Sequence, residues 1–270
     1  MEQDVYLYIK KSVKHILDID LNGYKDEQMK RRLDSWLVRM GDQNWESYFE
    51  RLIKNENDLS KFRDYLTINV TEFFRDFERW KTLKEQIIPM LLDNFRRINS
   101  AEKEFKIWSA GCSIGAEPFS LLITMEEINP SIKYKIVATD LDRSALEKAK
   151  KGGPFRADEV KNINEKQLSH YFRSDFPPYF VKEEHTKKID FKEKNLITDE
   201  YDSGFDLIVC RNVIIYFTAE IKTLLNVKFQ KALKKDGVLF LGGTEIIPRP
   251  NEIGLKNMAI SFYQKIESPK

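Results

Sequence analysis

The sequence predicts an α/β protein: a parallel sheet wrapped by helices, a small all-helical amino-terminal domain and an inserted subdomain. Three observations carry this. Up to about residue 98, apolar residues recur at helical spacing. Beyond it, short β-rich runs alternate with helical stretches, the pattern of a parallel sheet that binds ligands at the carboxyl ends of its strands. Between residues 152 and 188 that alternation gives way to an irregular, aromatic, charged segment. The expected domains are therefore 1–98, helical with its linker, and 99–270, the sheet domain, with the insert at about 152–188.

In the helical part, Met29, Leu33, Trp36, Leu37 and Met40 fall on one face of a helix that Gly41 stops. Further helices are expected at 45–53, 59–66 and 71–92, the last with Phe73, Phe77, Trp80, Leu83 and Ile87 on one side. Residues 94–103 are apolar-poor and read as a linker. Strands follow at 105–110, 134–139, 205–210, 237–242 and 259–265, with helices at 117–128, 144–150 and 219–233.

Composition narrows the chemistry. The 270 residues hold 41% hydrophobic and 12% aromatic side chains, enough for a sizeable core. Forty-five Lys and Arg against 43 Asp and Glu leave a net charge of +2, which argues against a nucleic-acid binder. No apolar run reaches the ~18 residues of a membrane span, so a cytoplasmic, non-inserted protein is expected. Cys112 and Cys210 read as buried thiols rather than a disulfide. His15, His170 and His185 have no ligand spacing; the latter two read as surface residues, and no metal is expected. The run Phe176-Pro-Pro-Tyr179 reads as a rigid turn.

The first strand feeds the loop Gly111-Cys112-Ser113-Ile114-Gly115-Ala116-Glu117, and a helix follows. A small-residue loop before a helix lets backbone N–H groups approach a ligand. The second strand ends in Asp140-Leu141-Asp142. Asp142 is expected to cap the next helix, while Asp140 is placed for ribose hydroxyls. Loop and acid together imply a nucleoside-containing cofactor and leave a dinucleotide and S-adenosylmethionine both open.

Four segments then resemble, in order and spacing, the CheR-type chemotaxis receptor methyltransferases. They are residues 107–120 (Ile-Trp-Ser-Ala-Gly-Cys-Ser-Ile-Gly-Ala-Glu-Pro-Phe-Ser), 210–217 (Cys-Arg-Asn-Val-Ile-Ile-Tyr-Phe), 69–75 (Asn-Val-Thr-Glu-Phe-Phe-Arg) and, more weakly, 242–245 (Gly-Gly-Thr-Glu). The resemblance covers about residues 5–265. It implies a Rossmann-like S-adenosylmethionine-dependent methyltransferase sheet, and methyl transfer to glutamates on cytoplasmic helices of chemoreceptors; apart from the resemblance, a monomer is expected. Position by position it implies cofactor contacts at Asn69, Thr71, Arg75, Glu117, Asp140, Asn195, Leu196, Arg211 and Asn212. The family loop reads Ser-Thr-Gly-Glu-Glu-Pro; here Ile114 replaces the Thr and Ala116 the first Glu, and Glu117 is retained.

The residues also have a reading of their own. Thr71 and Arg75 are expected at i and i+4 on the first turn of a helix, where N–H donors favour an anion. Arg75, a fork suited to a carboxylate, and Tyr216, at the end of the 205–210 strand, are the expected catalytic pair. Tyr216 could instead be a core aromatic packed on Phe217. Lys25, Arg32 and Arg39 recur every seven residues beside the apolar face of the helix around Met29 to Met40. They form an expected docking stripe for a partner coiled coil, unless they are ordinary solvated surface.

Overall fold

The structure, a computed structural model, describes residues 1–67, 71–98, 104–128 and 131–266. It divides into two compact units: Met1–Ile68 with Ile215–Thr223, and Asn69–Ile214 with Leu224–Lys270.

The first unit is built from the helices Gln3–Leu17, Asp26–Met40, Trp45–Leu52 and Glu56–Thr67. Gly41 ends the second at φ 72°, its N–H bonded to the Leu37 and Val38 carbonyls. Asn44 caps the third through the Ser47 N–H at 2.9 Å. Met29, Leu33 and Trp36 are buried as their spacing predicts, together with Tyr6, Trp45, Tyr48, Phe49 and Phe62. Trp36 Nε1 donates to the Tyr48 hydroxyl at 2.6 Å, which pairs two buried polar atoms inside this aromatic core. The segment 215–223 joins the same unit. Lys25 N donates to the Tyr216 carbonyl and Thr218 N to that of Gly23, both at 3.0 Å, and Tyr24 meets Phe217 edge-on at 5.0 Å.

Among its described residues the second unit holds seven strands: β1 Phe105–Ala110, β2 Tyr134–Asp140, β3 Ile189–Glu193, β4 Phe205–Cys210, β5 Leu233–Leu241, β6 Leu255–Ala259 and β7 Phe262–Lys265. Their order is β3-β2-β1-β4-β5-β7-β6. The first five are parallel, and β7 runs antiparallel to both β5 and β6. All six residues of β4 are buried, as expected for a strand covered on both faces. The helices Ala116–Ile128, Arg143–Lys151 and Ala219–Ala232 follow β1, β2 and β4.

Three expectations change. The units part at residues 68 and 69, not at 98 and 99. The helix Phe77–Thr82, a π segment Leu83–Ile87 and the helix Ile88–Ile98 carry Trp80, Leu83, Ile87, Ile88, Leu91 and Phe95 into the sheet's core. Pro89 lacks an N–H for the preceding turn, which accounts for the widened π segment there. Residues 94–97 are thus helix rather than linker, with Phe95 edge-on to Phe105, and Phe77 is exposed. The expected last strand is a hairpin of two, turned at Ser261 with φ 76°. The insert leads into β3, a strand that its charged residues conceal. Within the insert, Phe155 and Phe172 pack edge-on against Phe73 at 4.9 and 5.3 Å. Phe176-Pro-Pro lies in an exposed bend.

Candidate functional site

The strand order reverses between β1 and β4, where an open α/β sheet leaves a crevice at its carboxyl edge. The loop after β1 is tied to β2 there: Gly111 N and Cys112 N both donate to the Thr139 carbonyl, at 2.8 and 2.9 Å. Gly111 sits at φ 82°, and a Cβ on it would overlap the Val213 side chain, so the turn requires glycine. Asp140 then receives Ser113 N on Oδ2 at 2.7 Å and Asp142 N on Oδ1 at 2.9 Å. Although the residue is only partly covered, desolvation pushes its carboxyl up to about 6 against these two donors. Asp142 caps the helix Arg143–Lys151 through Ser144 N and Ala145 N. Of these two carboxylates two residues apart, Asp142 caps the helix as expected, and Asp140 ties the loop after β1 to the end of β2.

Glu117 opens the helix Ala116–Ile128 and accepts Ser109 Oγ at 2.7 Å. Burial pushes it up to about 7; Arg211, the Ser109 bond and Arg75 pull the other way, and Glu245 adds to the rise. Arg211, at the end of β4, is buried. Its Nη2 donates to Asp76 Oδ2 at 2.5 Å, and its guanidinium lies 4.8 Å from the Phe240 ring centre and 5.8 Å from that of Trp80. Asn212, at φ 61°, donates its N–H to Glu245 Oε2 at 2.8 Å, and Gly242 N donates to the same oxygen at 2.6 Å. Arg211 Nε and Asn212 Oδ1 are buried without a hydrogen-bond partner.

Four non-glycine residues at positive φ gather on these loops: Phe74, Asp76, Ser113 and Asn212. Held-open backbone of this kind costs roughly 1–3 kcal/mol each and concentrates where a ligand must be met. Two of the four lie in the segment 71–76, where the structure corrects the sequence. Thr71 and Arg75 are not on a first helical turn; the chain bends there and the helix begins at Phe77. Phe73 and Phe74 are both buried, and positive φ at Phe74 and Asp76 turns the chain so that both rings can go inward. Thr71 and Arg75 remain partly exposed, with Arg75 close enough to shift both Glu117 and Arg211.

At the tip of β3, Asn195 spends its side-chain oxygen on Ile197 N at 3.0 Å, while Leu196 is buried and its carbonyl accepts the Tyr201 hydroxyl. Lys194 N donates to the Asp140 carbonyl at 2.9 Å, which holds this turn beside the end of β2. Asn69 lies outside the described residues. Both thiols are free and buried, their pKa pushed well up by burial and by nearby carboxylates, so neither is a ready nucleophile.

The remaining expected residues fold in the helical unit. Tyr216 ends the short turn Ile214–Tyr216 and is partly exposed; the buried aromatic is its neighbour Phe217. Lys25 precedes the helix Asp26–Met40 rather than lying on it. Arg32 is turned into its own unit. It donates to the Tyr65 carbonyl, lies 4.6 Å from the Tyr65 ring centre, has Nε buried without a partner, and is lowered in pKa chiefly by burial. Arg39 is exposed. The three cations are therefore not a row of equivalent solvated charges, because Tyr65 on a neighbouring helix draws Arg32 inward.

Sequence reasoning assigned no role to Asp76, Ser109 or Glu245, which hold Arg211, Glu117 and Asn212. Glu245 ends the fourth matched segment, and that was its only signal. His185 is buried and meets His170 at 5.7 Å between ring centres, so the expectation of two surface histidines holds only for His170.

Comparison with known proteins agrees with this division. Residues 69–263 match the family model described as CheR methyltransferase, SAM binding domain, and residues 5–67 match CheR methyltransferase, all-alpha domain. A chemotaxis protein methyltransferase from Listeria innocua is 41% identical over 98% of both chains. One from Listeria monocytogenes is 39% identical over the same shares. One from Escherichia coli is 32% identical over 84% of this chain and 79% of its own.

Proposed function

Since the chain belongs to the CheR methyltransferase family, and so is an S-adenosylmethionine-dependent methyltransferase, we propose that it acts on protein glutamates. Its substrates are glutamate side chains on cytoplasmic helices of chemoreceptors, and its products are glutamyl methyl esters and S-adenosylhomocysteine. The enzyme works as a cytoplasmic monomer. Among the described residues, no helix is long and apolar enough to cross a membrane. The observation that supports this reading best is the chemistry of the crevice edge: two carboxyls pushed up by burial, a buried guanidinium, and no accessible thiol.

The residues present fit S-adenosylmethionine. Asn212 Oδ1 and Arg211 Nε are an unmatched acceptor and donor, complementary to the two ends of an amino-acid zwitterion. Asp140, at the tip of β2, suits a ribose diol. Glu117 and Asp140 are carboxyls whose ionised form burial disfavours and a nearby cation restores. Asn69, Thr71, Arg75, Asn195 and Leu196 complete the proposed contacts. When bound, S-adenosylmethionine supplies an electrophilic sulfonium methyl.

The rest falls to the protein. A substrate glutamate, with an ordinary pKa of ~4.3, is already ionised and needs neither base nor metal. Arg75 holds the carboxylate in line, a matter of position rather than proton transfer. Tyr216 shapes and polarises the mouth. Charge disappears as anion and cation combine, so excluding water favours the step.

Incubating the protein with methyl-labelled S-adenosylmethionine and receptor-containing membranes tests this. Base-labile label on receptor glutamates is expected. Label appearing only on small carboxylic acids, or tight cofactor binding with no transfer at all, would replace this reading with a small-acid methyltransferase or a regulator.

A further inference from the structure

At the far end of the helix Ala116–Ile128 from Glu117, three side chains from three elements converge. Glu126 on that helix, His170 on the helix Glu165–Tyr171 and His185 on Glu183–Thr186 each bring one carboxylate or imidazole atom within 4.8 Å of the others. His185 is 4% exposed, and neither of its ring nitrogens has a hydrogen-bond partner. Nδ1 lies 3.6 Å from Glu126 Oε1, and Nε2 lies 3.6 Å from Glu184 Oε1. That is too long for a hydrogen bond. Two ligands bound at ~2.1 Å to a tetrahedral ion, however, stand about 3.4 Å apart. Glu126 and His185 are thus spaced to share an ion rather than a proton.

We propose that Glu126, His170 and His185 form a binding site for a divalent transition metal ion of the zinc class. Two imidazoles and one carboxylate suit such an ion, whereas magnesium and calcium prefer oxygen throughout. Water completes the shell on the side of His170, which is exposed. The site is structural. Glu126 is nine residues along the helix from Glu117, about 13 Å at 1.5 Å per residue, too far to touch the reacting groups. The ion would join the core helix to the two insert helices that carry the histidines.

Lys188 is the competitor. Its Nζ stands 2.5 Å from the same Glu126 Oε1, and its half-exposed side chain is free to swing into solvent when a cation takes its place.

Zinc titrated calorimetrically into the metal-stripped full chain, with cobalt absorption as a second reading, provides the test. One ion per chain is expected, with a rise in melting temperature. His170→Ala removes an exposed ligand and should leave the fold intact by circular dichroism. It should weaken zinc binding at least about tenfold and abolish the thermal shift. Lys188→Met should tighten binding. Absence of a one-to-one site overturns the proposal. So do equal affinities in wild type and His170→Ala, which would place the ion elsewhere, or unchanged affinity in Lys188→Met.

Discussion

The helix Ala116–Ile128 carries a glutamate near each end, and the two have different surroundings. Glu117 lies at the crevice, bonded by Ser109 and facing Arg211 and Arg75, with burial strong enough to push it up to about 7. Glu126 is clasped by Lys188 and faces His185. The residue type, the helix and the side-chain length are shared. What differs is the partner that the fold brings across: an arginine-lined strand edge at one end, an insert at the other. A carboxylate's task is set by the element that lies opposite it. One helix can thereby serve both the proposed cofactor site and the attachment of the insert.

Breaking the proposed site should have the largest effect. Arg75→Ala is expected to lower the methylation rate by about 10²-fold, the scale of a misaligned reactant pair, with a melting temperature near that of the wild type because Arg75 is partly exposed. Tyr216→Phe should fall between it and the wild type in single-turnover assays. Full activity of Tyr216→Phe would leave its hydroxyl without a role.

Next comes cofactor affinity. Asp140→Ala should weaken S-adenosylmethionine binding by roughly 1–3 kcal/mol, the cost of leaving hydroxyls unpaired, whereas Glu126→Ala should leave it unchanged. Calorimetry on the two variants separates the ends of the helix. A loss in Glu126→Ala would erase the distinction.

A pH series sharpens it further. Glu117 and Asp140 stand at about 7 and about 6 in the folded chain, above their ordinary values near 4.3 and 3.9. Their protonated forms are the ones that burial favours. The stability they contribute is complete below pH ~4 and is lost as pH rises through 6 to 7. Affinity for a cationic cofactor should run the opposite way and decline as pH falls through that window. Melting curves between pH 4 and 8 should show the slope shrink in Glu117→Gln and stay in Glu126→Gln.

The smallest effect is expected at the helical unit. Arg39→Glu should raise the apparent KM for receptor at low salt by no more than the ~1 kcal/mol of an exposed ion pair, and the difference should vanish as salt screens it. Arg32→Glu should instead lower the melting temperature, because that guanidinium is engaged with Tyr65 inside its unit.

Sequence alone determined whatever depends on local period and local bonding. Alternating strands and helices identified four of the five parallel strands. The Asp142 cap was legible because it uses neighbours two and three residues on, and the 111–117 loop and Asp140 because each stands at the carboxyl end of a strand that local pattern identifies; the bond that joins Ser113 to Asp140 across 27 positions was not. Tertiary structure decided what depends on a partner distant in the chain. The apolar face of residues 77–98 has the same spacing whether it packs on helices or on a sheet, and only the fold gave it to the sheet. The expected first turn at Thr71 and Arg75 yielded to burial of Phe73 and Phe74. Asp76 holds Arg211 across 135 positions, and Glu245 meets Asn212 across 33. His170 and His185, without ligand spacing in the chain, meet because the insert folds back on itself. Side-chain period reports which face of an element is apolar; it holds no information on which element, or which charge, will lie opposite.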